Sequence, residues 1–241
     1  MLLPVERAWL GPLITVIDIA TMLVGVVGAL GASDIRRRLG YIVISGIGTM
    51  LAGVALGSAD GLSGAIFYAL HSMVLMTALY LIAGQAARLG GSFSLAALGG
   101  LYRRSGWFAV LSLVLFFAIS GLPPFSGFWP KVVLVKAALA TGAWWLAATI
   151  LLAGFLTTIV FGRLFLLAYW RPAPADAAAA AAMAEPIGWR AAVPLLALSL
   201  LVVGFGLFPE GLLHLTRAAA LGLEQPSAYL QSVFPVAGGA E

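Results

Sequence analysis

Residues 120–136 read SGLPPFSGFWPKVVLVK, and this stretch lies within a strongly apolar part of the chain. Proline lacks a backbone donor and clashes with the preceding helical turn. The residues predicted to break the helix here are Pro123, Pro124, Gly127 and Pro130. Irregular backbone at membrane depth is tolerated only inside protein or beside a water-filled cavity. Lys131 follows the break directly and is a candidate functional residue, because a lysine at membrane depth is costly.

The composition indicates a polytopic helical membrane protein. Hydrophobic residues make up 62% of the 241 residues and charged residues only 9%, with a mean hydropathy of +1.07, whereas soluble domains carry about 25% charged residues. The net charge of +4 comes from arginines that flank apolar segments, so we expect membrane topology rather than nucleic-acid binding. Cysteine is absent and the two histidines are far apart. We therefore expect no metal site and no cofactor.

Seven apolar runs are candidate membrane-spanning segments, because about 20 helical residues cross a bilayer. They are Leu10–Leu30, Leu39–Gly57, Ser63–Gly84, Trp107–Leu122, Trp129–Leu139, Ala143–Tyr169 and Ala191–Phe208. The fifth run is too short to cross alone. It is either a separate half-span or the continuation of the fourth run after the break.

The arginines favour one interrupted crossing over two. If the fourth and fifth runs form a single crossing, eight arginines fall on the same side: Arg36, Arg37, Arg38, Arg88, Arg103, Arg104, Arg171 and Arg190. The positive-inside rule then predicts about six crossings with both termini outside. We expect an all-α, multi-pass protein of the cell inner (plasma) membrane.

The chain divides into three predicted parts. Residues 1–170 hold five crossings, with the broken helix near 120–131. Residues 171–190 form an Ala/Pro-rich linker on the cytoplasmic side, to which we attach no chemistry. Residues 191–241 form a terminal transmembrane helix and a tail. Within that tail, the apolar face of Glu210–Leu223 is expected to lie at the outer membrane interface.

Four charged or titratable residues lie within apolar spans and are candidates for a proton path. Lys131 is either a protonatable site beside a water-accessible kink or a snorkelling anchor, and its place inside a broken span favours the first. Lys136 is either a proton exit or an anchor. His71 titrates near neutral pH and suits a relay, although an interhelical hydrogen bond could also hold it. Asp18 is either a counter-charge for Lys131 or His71, or a carboxylate that faces water near the outer third.

Four ordered motifs carry a resemblance to a known family. They are GALGASDIRRRLGYIVIS, FYALHSMVLMTALYLIAG, SGLPPFSGFWPKVVLVKAAL and QPSAYLQSVF. The sequence resembles the antiporter-like membrane subunits, which comprise the proton-pumping subunits of respiratory complex I and the large subunits of Mrp-type cation/proton antiporters. The match is nearest to the D-type large subunits of the Mrp antiporters.

The resemblance implies the second of two inverted five-helix repeats, followed by a terminal helix. It implies that Lys131 is the central lysine of the broken helix, in a half channel thought to open outward, and that His71 lines a hydrated polar axis. The family's lysine in the His71 helix falls at Met76, which cannot carry a proton. The first repeat is not in this sequence, so we expect a fragment or one part of a split subunit.

Three functions follow as alternatives. The first is a membrane subunit of a multisubunit Na⁺/proton antiporter that contributes the outward proton half channel. The second is a non-conducting scaffold or truncated remnant, which Met76 and the absent repeat suggest. The third is a proton-translocating membrane subunit of an NADH:quinone oxidoreductase or hydrogenase complex. The expected partners are other membrane subunits, the lipid bilayer, protons and Na⁺, and an enzymatic reaction of the chain's own is not expected.

Overall fold

The computed structural model describes residues 7–174 and 186–224, without the side chains of residues 7–9. The helices are α1 (Arg7–Gly31), α2 (Ile35–Ala55), α3 (Ala59–Gly90), α4 (Leu101–Arg104), α5 (Gly106–Ser120), α6 (Phe128–Ala140), α7 (Trp144–Phe165), α8 (Trp189–Leu207) and α9 (Glu210–Glu224). A π-helical turn, Leu166–Trp170, continues α7. The predicted all-α class is confirmed.

Five of these helices are long and apolar enough to span a membrane: α1, α2, α3, α7 with its π-helical turn, and α8. The apolar helix α5 is shorter. At about 1.5 Å per residue, α5 alone falls short of the roughly 30 Å hydrocarbon core of a bilayer. Together with α6 it is long enough for the sixth crossing.

Three loops meet at one end of the bundle, which we call the arginine-rich end because Arg36–Arg38, Arg103, Arg104 and Arg171 lie there. The Leu95 amide donates to Ser33 O at 2.8 Å, and the Gly100 amide donates to Arg171 O at 2.6 Å. The Arg171 guanidinium also donates to Leu95 O at 2.7 Å. The chain therefore leaves this end before α5 and returns to it after α7. Helices α5 and α6 consequently form one crossing that leads away from the arginine-rich end, and α7 leads back to it.

Close packing of α1 against α2 depends on small residues. A Cβ atom at Gly25 would come within 2.7 Å of Ser45 Cα, and one at Gly48 within 2.7 Å of the Met22 amide nitrogen. Only glycine allows the two backbones to approach this far.

The break in the crossing lies between Ser120 and Phe128. Gly121 ends α5 in the left-handed region, with φ of +81°, and its amide donates to Phe117 O at 3.1 Å. Pro123 and Pro124 lie in the turn that follows. Pro130, which the sequence predicts to break the helix, is instead the third residue of α6. Amides in the first helical turn lack intrahelical partners, so proline costs little there.

Two contacts hold the last helices to the rest of the bundle. Trp129 Nε1 donates to Gly206 O of α8 at 2.8 Å, and Thr216 of α9 shares a 3.1 Å hydrogen bond with Ser63 of α3. Helix α9, which the sequence predicts at the outer membrane interface, buries Thr216 and Ala220. The hydroxyl pair and the small alanine let it pack against α3. The motif at 225–234 and most of the predicted linker lie outside the described residues.

Candidate functional site

Lys131 lies at the break and binds the end of the preceding half-helix. Its Nζ donates to Ser120 O at 2.8 Å and to Ile119 O at 3.2 Å. These carbonyls belong to the last turn of α5, where the helix dipole concentrates negative potential. The break thus creates a binding site for the ammonium group in which no carboxylate of the described residues takes part. This partner could not be read from the sequence, because it depends on how the start of α6 is placed against the end of α5.

Two glycines, which sequence reasoning did not single out, provide room for the Lys131 side chain. A Cβ atom at Gly121 would lie 2.7 Å from Lys131 Nζ, and one at Gly154 of α7 would lie 3.5 Å from it. The first distance is a steric conflict, whereas the second is ordinary contact. Gly121 is therefore required both for its positive φ and for the position of the amine.

A small polar cavity adjoins Lys131 on the interior side. Its volume, measured as the space open to the centre of a water molecule, is about 10 Å³, which is enough for about one water molecule. Lys131 lines it together with four hydroxyl-bearing residues, Ser45, Thr49, Tyr68 and Thr157. These come from α2, α3 and α7. The lysine amine therefore faces an interior site that can hold hydrogen-bonding solvent.

A larger groove adjoins Lys131 on its other side, between α5, α6 and α7. Its volume is about 640 Å³, and its walls are mainly apolar. Lys131 and Lys136 both line it, and no acidic residue in the described part of the chain does so. Lys131 is partly buried, whereas Lys136, further along α6 and away from the arginine-rich end, is exposed on the chain. The groove therefore extends from Lys131 to the surface.

His71 lies in α3 near the break, and 1% of its surface is exposed. A Cβ atom at Gly127 would lie 3.1 Å from His71 Nε2 and would collide with Ala118 O. The Tyr68 ring meets the imidazole edge-on at a centroid distance of 6.1 Å. Tyr68 also lines the cavity, so this tyrosine contacts both His71 and the Lys131 cavity. His71 Nδ1 has no hydrogen-bond partner among the described residues.

Asp18 is not brought to Lys131 or His71. It is fully buried on α1, and neither carboxylate oxygen has a hydrogen-bond partner in the described ranges. In those ranges the ion pair is Arg36–Asp34, at 3.6 Å. The structure therefore shows Asp18 neither as a counter-charge for Lys131 or His71 nor as a carboxylate exposed at the surface of the chain. The reason is the packing of α1, which contacts α2 and α7, whereas Lys131 and His71 lie on α6 and α3.

Aromatic side chains fill the space between α5 and α7 on the side of Lys131 nearer the arginine-rich end. Phe116 and Phe161 lie 5.0 Å apart by ring centroids, and Phe165 stacks on Tyr169 at 5.0 Å. Tyr169 OH donates to Ser112 Oγ at 2.8 Å. Met76, where the resemblance predicts a lysine of the family, is buried in the adjoining apolar core.

Comparison with known proteins identifies the class. The family model described as NADH:quinone oxidoreductase/Mrp antiporter, TM, matches residues 1–157. The chain belongs to this family of multi-pass membrane subunits. It is 29% identical over 221 residues to the D subunit of the Na⁺/H⁺ antiporter of Alkalihalophilus pseudofirmus, covering 92% of this chain and 44% of that protein.

Two further relatives come from the oxidoreductase and the Mrp branches of this family. The N subunit of the NADH-quinone oxidoreductase of Laribacter hongkongensis is 31% identical over 217 residues, which cover 90% of this chain and 44% of that protein. A chain in the structure of the Mrp complex from Dietzia sp. DQ12-45-1b superposes with a TM-score of 0.82 at 32% identity, covering 93% of this chain and 49% of that one. The chain spans about half the length of the curated relatives that it matches.

Proposed function

We propose that this chain contributes the outward proton half channel of a multisubunit Na⁺/proton antiporter, with Lys131 as its proton-carrying residue. The observation that carries the proposal is the position of Lys131. Its amine is held by the carbonyls of Ile119 and Ser120 between an interior polar cavity and an open groove. A lysine at a helix break can exchange a proton with either side as neighbouring charges change.

The carbonyls at the end of α5 favour the ammonium form of Lys131, because they replace part of the lost hydration of the charge. A cation arriving at the polar cavity would oppose that form by Coulomb repulsion. The proton released would then leave through the groove, along which Lys136 lies. This order of events makes Lys131 a carrier whose charge depends on its neighbours.

The asymmetry around Lys131 supports an outward direction. Towards the arginine-rich end, the Phe116–Phe161 pair and Tyr169 pack the space between α5 and α7. In the other direction the groove is open. If the arginine-rich end is cytoplasmic, as the positive-inside rule predicts, the groove opens outward and both termini lie outside.

His71 is proposed as the relay that feeds the cavity. Its imidazole is buried against Tyr68, and Tyr68 lines the cavity that Lys131 also lines. A hydroxyl and one water molecule would complete a hydrogen-bonded chain between the two titratable groups. Asp18 is proposed to take no part in this hydrogen-bonded path, since it lies on α1 and makes no ion pair with Lys131 or His71 in the described ranges.

The experiment compares Lys131→Met with Arg217→Met in everted membrane vesicles that contain the chain with its partner subunits. Arg217 is an exposed cation on α9, so the control removes one positive charge that lines neither the cavity nor the groove beside Lys131. We expect Na⁺-driven proton movement, read with a pH-sensitive dye, to fall to background in Lys131→Met and to persist in Arg217→Met. Normal exchange in an assembled Lys131→Met complex would reject the proposal.

A second candidate is a proton-translocating subunit of an NADH:quinone oxidoreductase. The match to the Laribacter hongkongensis protein, at 31% identity over 90% of this chain, favours it. Lys131 would have the same role there, but another subunit would carry out the redox chemistry. Purification of the native membrane complex distinguishes the two. Flavin and iron–sulfur absorption in the purified complex indicates an oxidoreductase, and Na⁺-dependent proton exchange without either indicates an antiporter.

A further inference from the structure

Arg38 is a buried cation that the proton path described above does not use. It lies in the second turn of α2, and only 2% of its surface is exposed, whereas its neighbours Arg36 and Arg37 are exposed. Its Nη1 donates to Val160 O of α7 at 3.1 Å, and its Nη2 donates to Ala32 O at 2.7 Å. Its Nε has no partner in the described part of the chain.

No carboxylate of the described residues pairs with Arg38, since the ion pair found there joins Arg36 to Asp34. What stabilises the buried charge is backbone. Ala32 follows the last residue of α1, so the guanidinium lies at the negative end of that helix dipole. This dipole is equivalent to about half an elementary charge, so it offsets the guanidinium only in part and a net positive field remains.

Arg38 lies on the face of α2 that lines the Lys131 cavity, and it binds α7 close to the part of that helix that lines the cavity. On α2, residues 38, 42, 45 and 49 recur at helical spacing and share one side of the helix. Ile42, Ser45 and Thr49 line the cavity. On α7, the Val160 carbonyl that Arg38 binds is about one turn from Thr157, which also lines the cavity. Arg38 thus occupies the seam between α2 and α7 at its arginine-rich end.

We propose that Arg38 is a fixed cationic barrier that prevents protons from passing between the Lys131 cavity and the arginine-rich end. The inference rests on the proposed function, because it needs a proton path at Lys131. A positive charge in a narrow, low-dielectric path excludes protons and other cations. Arg163, exposed about one turn beyond Val160 on α7, adds charge of the same sign.

The size of the barrier follows from the spacing along α2. The seven residues from Arg38 to Ser45 correspond to a rise of about 10 Å. In an effective dielectric of about 20, a unit charge at that distance lowers the probability that a second positive charge occupies the cavity by on the order of tenfold. Removing the charge should therefore raise the passive proton leak on the order of tenfold.

The alternative is that Arg38 only ties α2 to α7 and to the end of α1. Substituting Arg38 by glutamine or by lysine distinguishes the structural role from the role of a charged barrier. Arg38→Gln keeps a donor for the Val160 carbonyl but removes the charge, whereas Arg38→Lys keeps the charge but cannot reproduce the two-pronged contact. A barrier depends on the charge, so the lysine variant should behave as the unmodified chain does.

The test measures decay of an imposed pH gradient, without Na⁺, in proteoliposomes that contain the complete membrane complex. We expect Arg38→Gln to leak on the order of tenfold faster than the unmodified complex, and Arg38→Lys and the exposed control Arg37→Gln to leave the rate unchanged. Combining Arg38→Gln with Lys131→Met should remove the extra leak, because the path runs through the lysine cavity.

Three results would overturn the barrier. They are an Arg38→Gln leak equal to that of Arg37→Gln, an equal leak in Arg38→Lys, and an extra leak that survives Lys131→Met. If Arg38→Gln fails to assemble, Ala32→Asp keeps the arginine and places a neutralising carboxylate beside it, and the same leak is expected. Failure of the proposed function appears separately, as Na⁺-driven exchange that persists in Lys131→Met.

Discussion

Substituting Gly121 by alanine tests whether the backbone at the break positions the Lys131 amine. Gly121 has φ of +81°, and left-handed backbone costs a residue with a Cβ atom about 1–2 kcal/mol. The new Cβ atom would also lie 2.7 Å from both Nζ and Cδ of Lys131. The amine must then shift from its position beside the Ser120 carbonyl, and we expect this to weaken a hydrogen bond of a charged group, which contributes about 1.5–3 kcal/mol.

Gly142 provides the matched control for this prediction. It has φ of +74°, and a Cβ atom there would meet nothing within 4 Å. Gly142→Ala therefore carries only the backbone cost of about 1–2 kcal/mol. The further cost of displacing the amine in Gly121→Ala corresponds to a fall in exchange rate of about tenfold to a hundredfold.

The assay is the initial rate of Na⁺-driven proton movement in everted vesicles, corrected for the amount of assembled complex. We expect Gly142→Ala to exchange at close to the unmodified rate and Gly121→Ala to be slow although assembled. Equal rates in the two variants would refute the reasoning, because the steric conflict with Lys131 would then have no effect on transport.

Two further predictions concern the contacts that hold α8 and α9. In Gly206→Ala, a Cβ atom 2.6 Å from Pro124 O should destabilise the protein by about 1–3 kcal/mol, while Gly204→Ala, with nothing within 4 Å, should be neutral or slightly stabilising. Thermal unfolding of the purified complex checks both, and equal melting temperatures would contradict the packing. Ser63→Ala and Thr216→Val should each cost about 1 kcal/mol, and the double variant should cost less than their sum. Additive losses would show that the 3.1 Å hydrogen bond contributes nothing.

The helical class, the interrupted crossing and the position of Lys131 at the break were all predictable from the sequence, because each depends on local composition. Apolar length predicts spans, arginine placement predicts their sides, and a lysine within an apolar run is conspicuous. Pro130 shows where local reasoning failed. A proline breaks a helix interior but is tolerated in a first turn, and which case applies depends on where α6 begins.

The contacts of the site were not predictable, because they join residues far apart in the chain. The Lys131 amine is held by main-chain carbonyls of α5, which leave no signal in the side-chain sequence. Asp18 was expected either to act as a counter-charge or to face water, but its surroundings depend on which helices pack against α1. Arg38 stands in a run of three arginines in the sequence, and its burial and its hydrogen bonds to Val160 O and Ala32 O distinguish it from Arg37.

The claim that an ionisable amine at position 131 carries the proton has a direct chemical test. The chain contains no cysteine, so Lys131→Cys places a single thiol at the break, and the unmodified complex treated in parallel controls for thiols of other subunits. Aminoethyl methanethiosulfonate restores an amine on a side chain of similar length, whereas methyl methanethiosulfonate adds only a methylthio group. We predict that Na⁺-driven exchange is lost in Lys131→Cys, regained with the amine reagent and not regained with the methyl reagent. Complete labelling with no more exchange from the amine than from the methyl reagent would contradict the account.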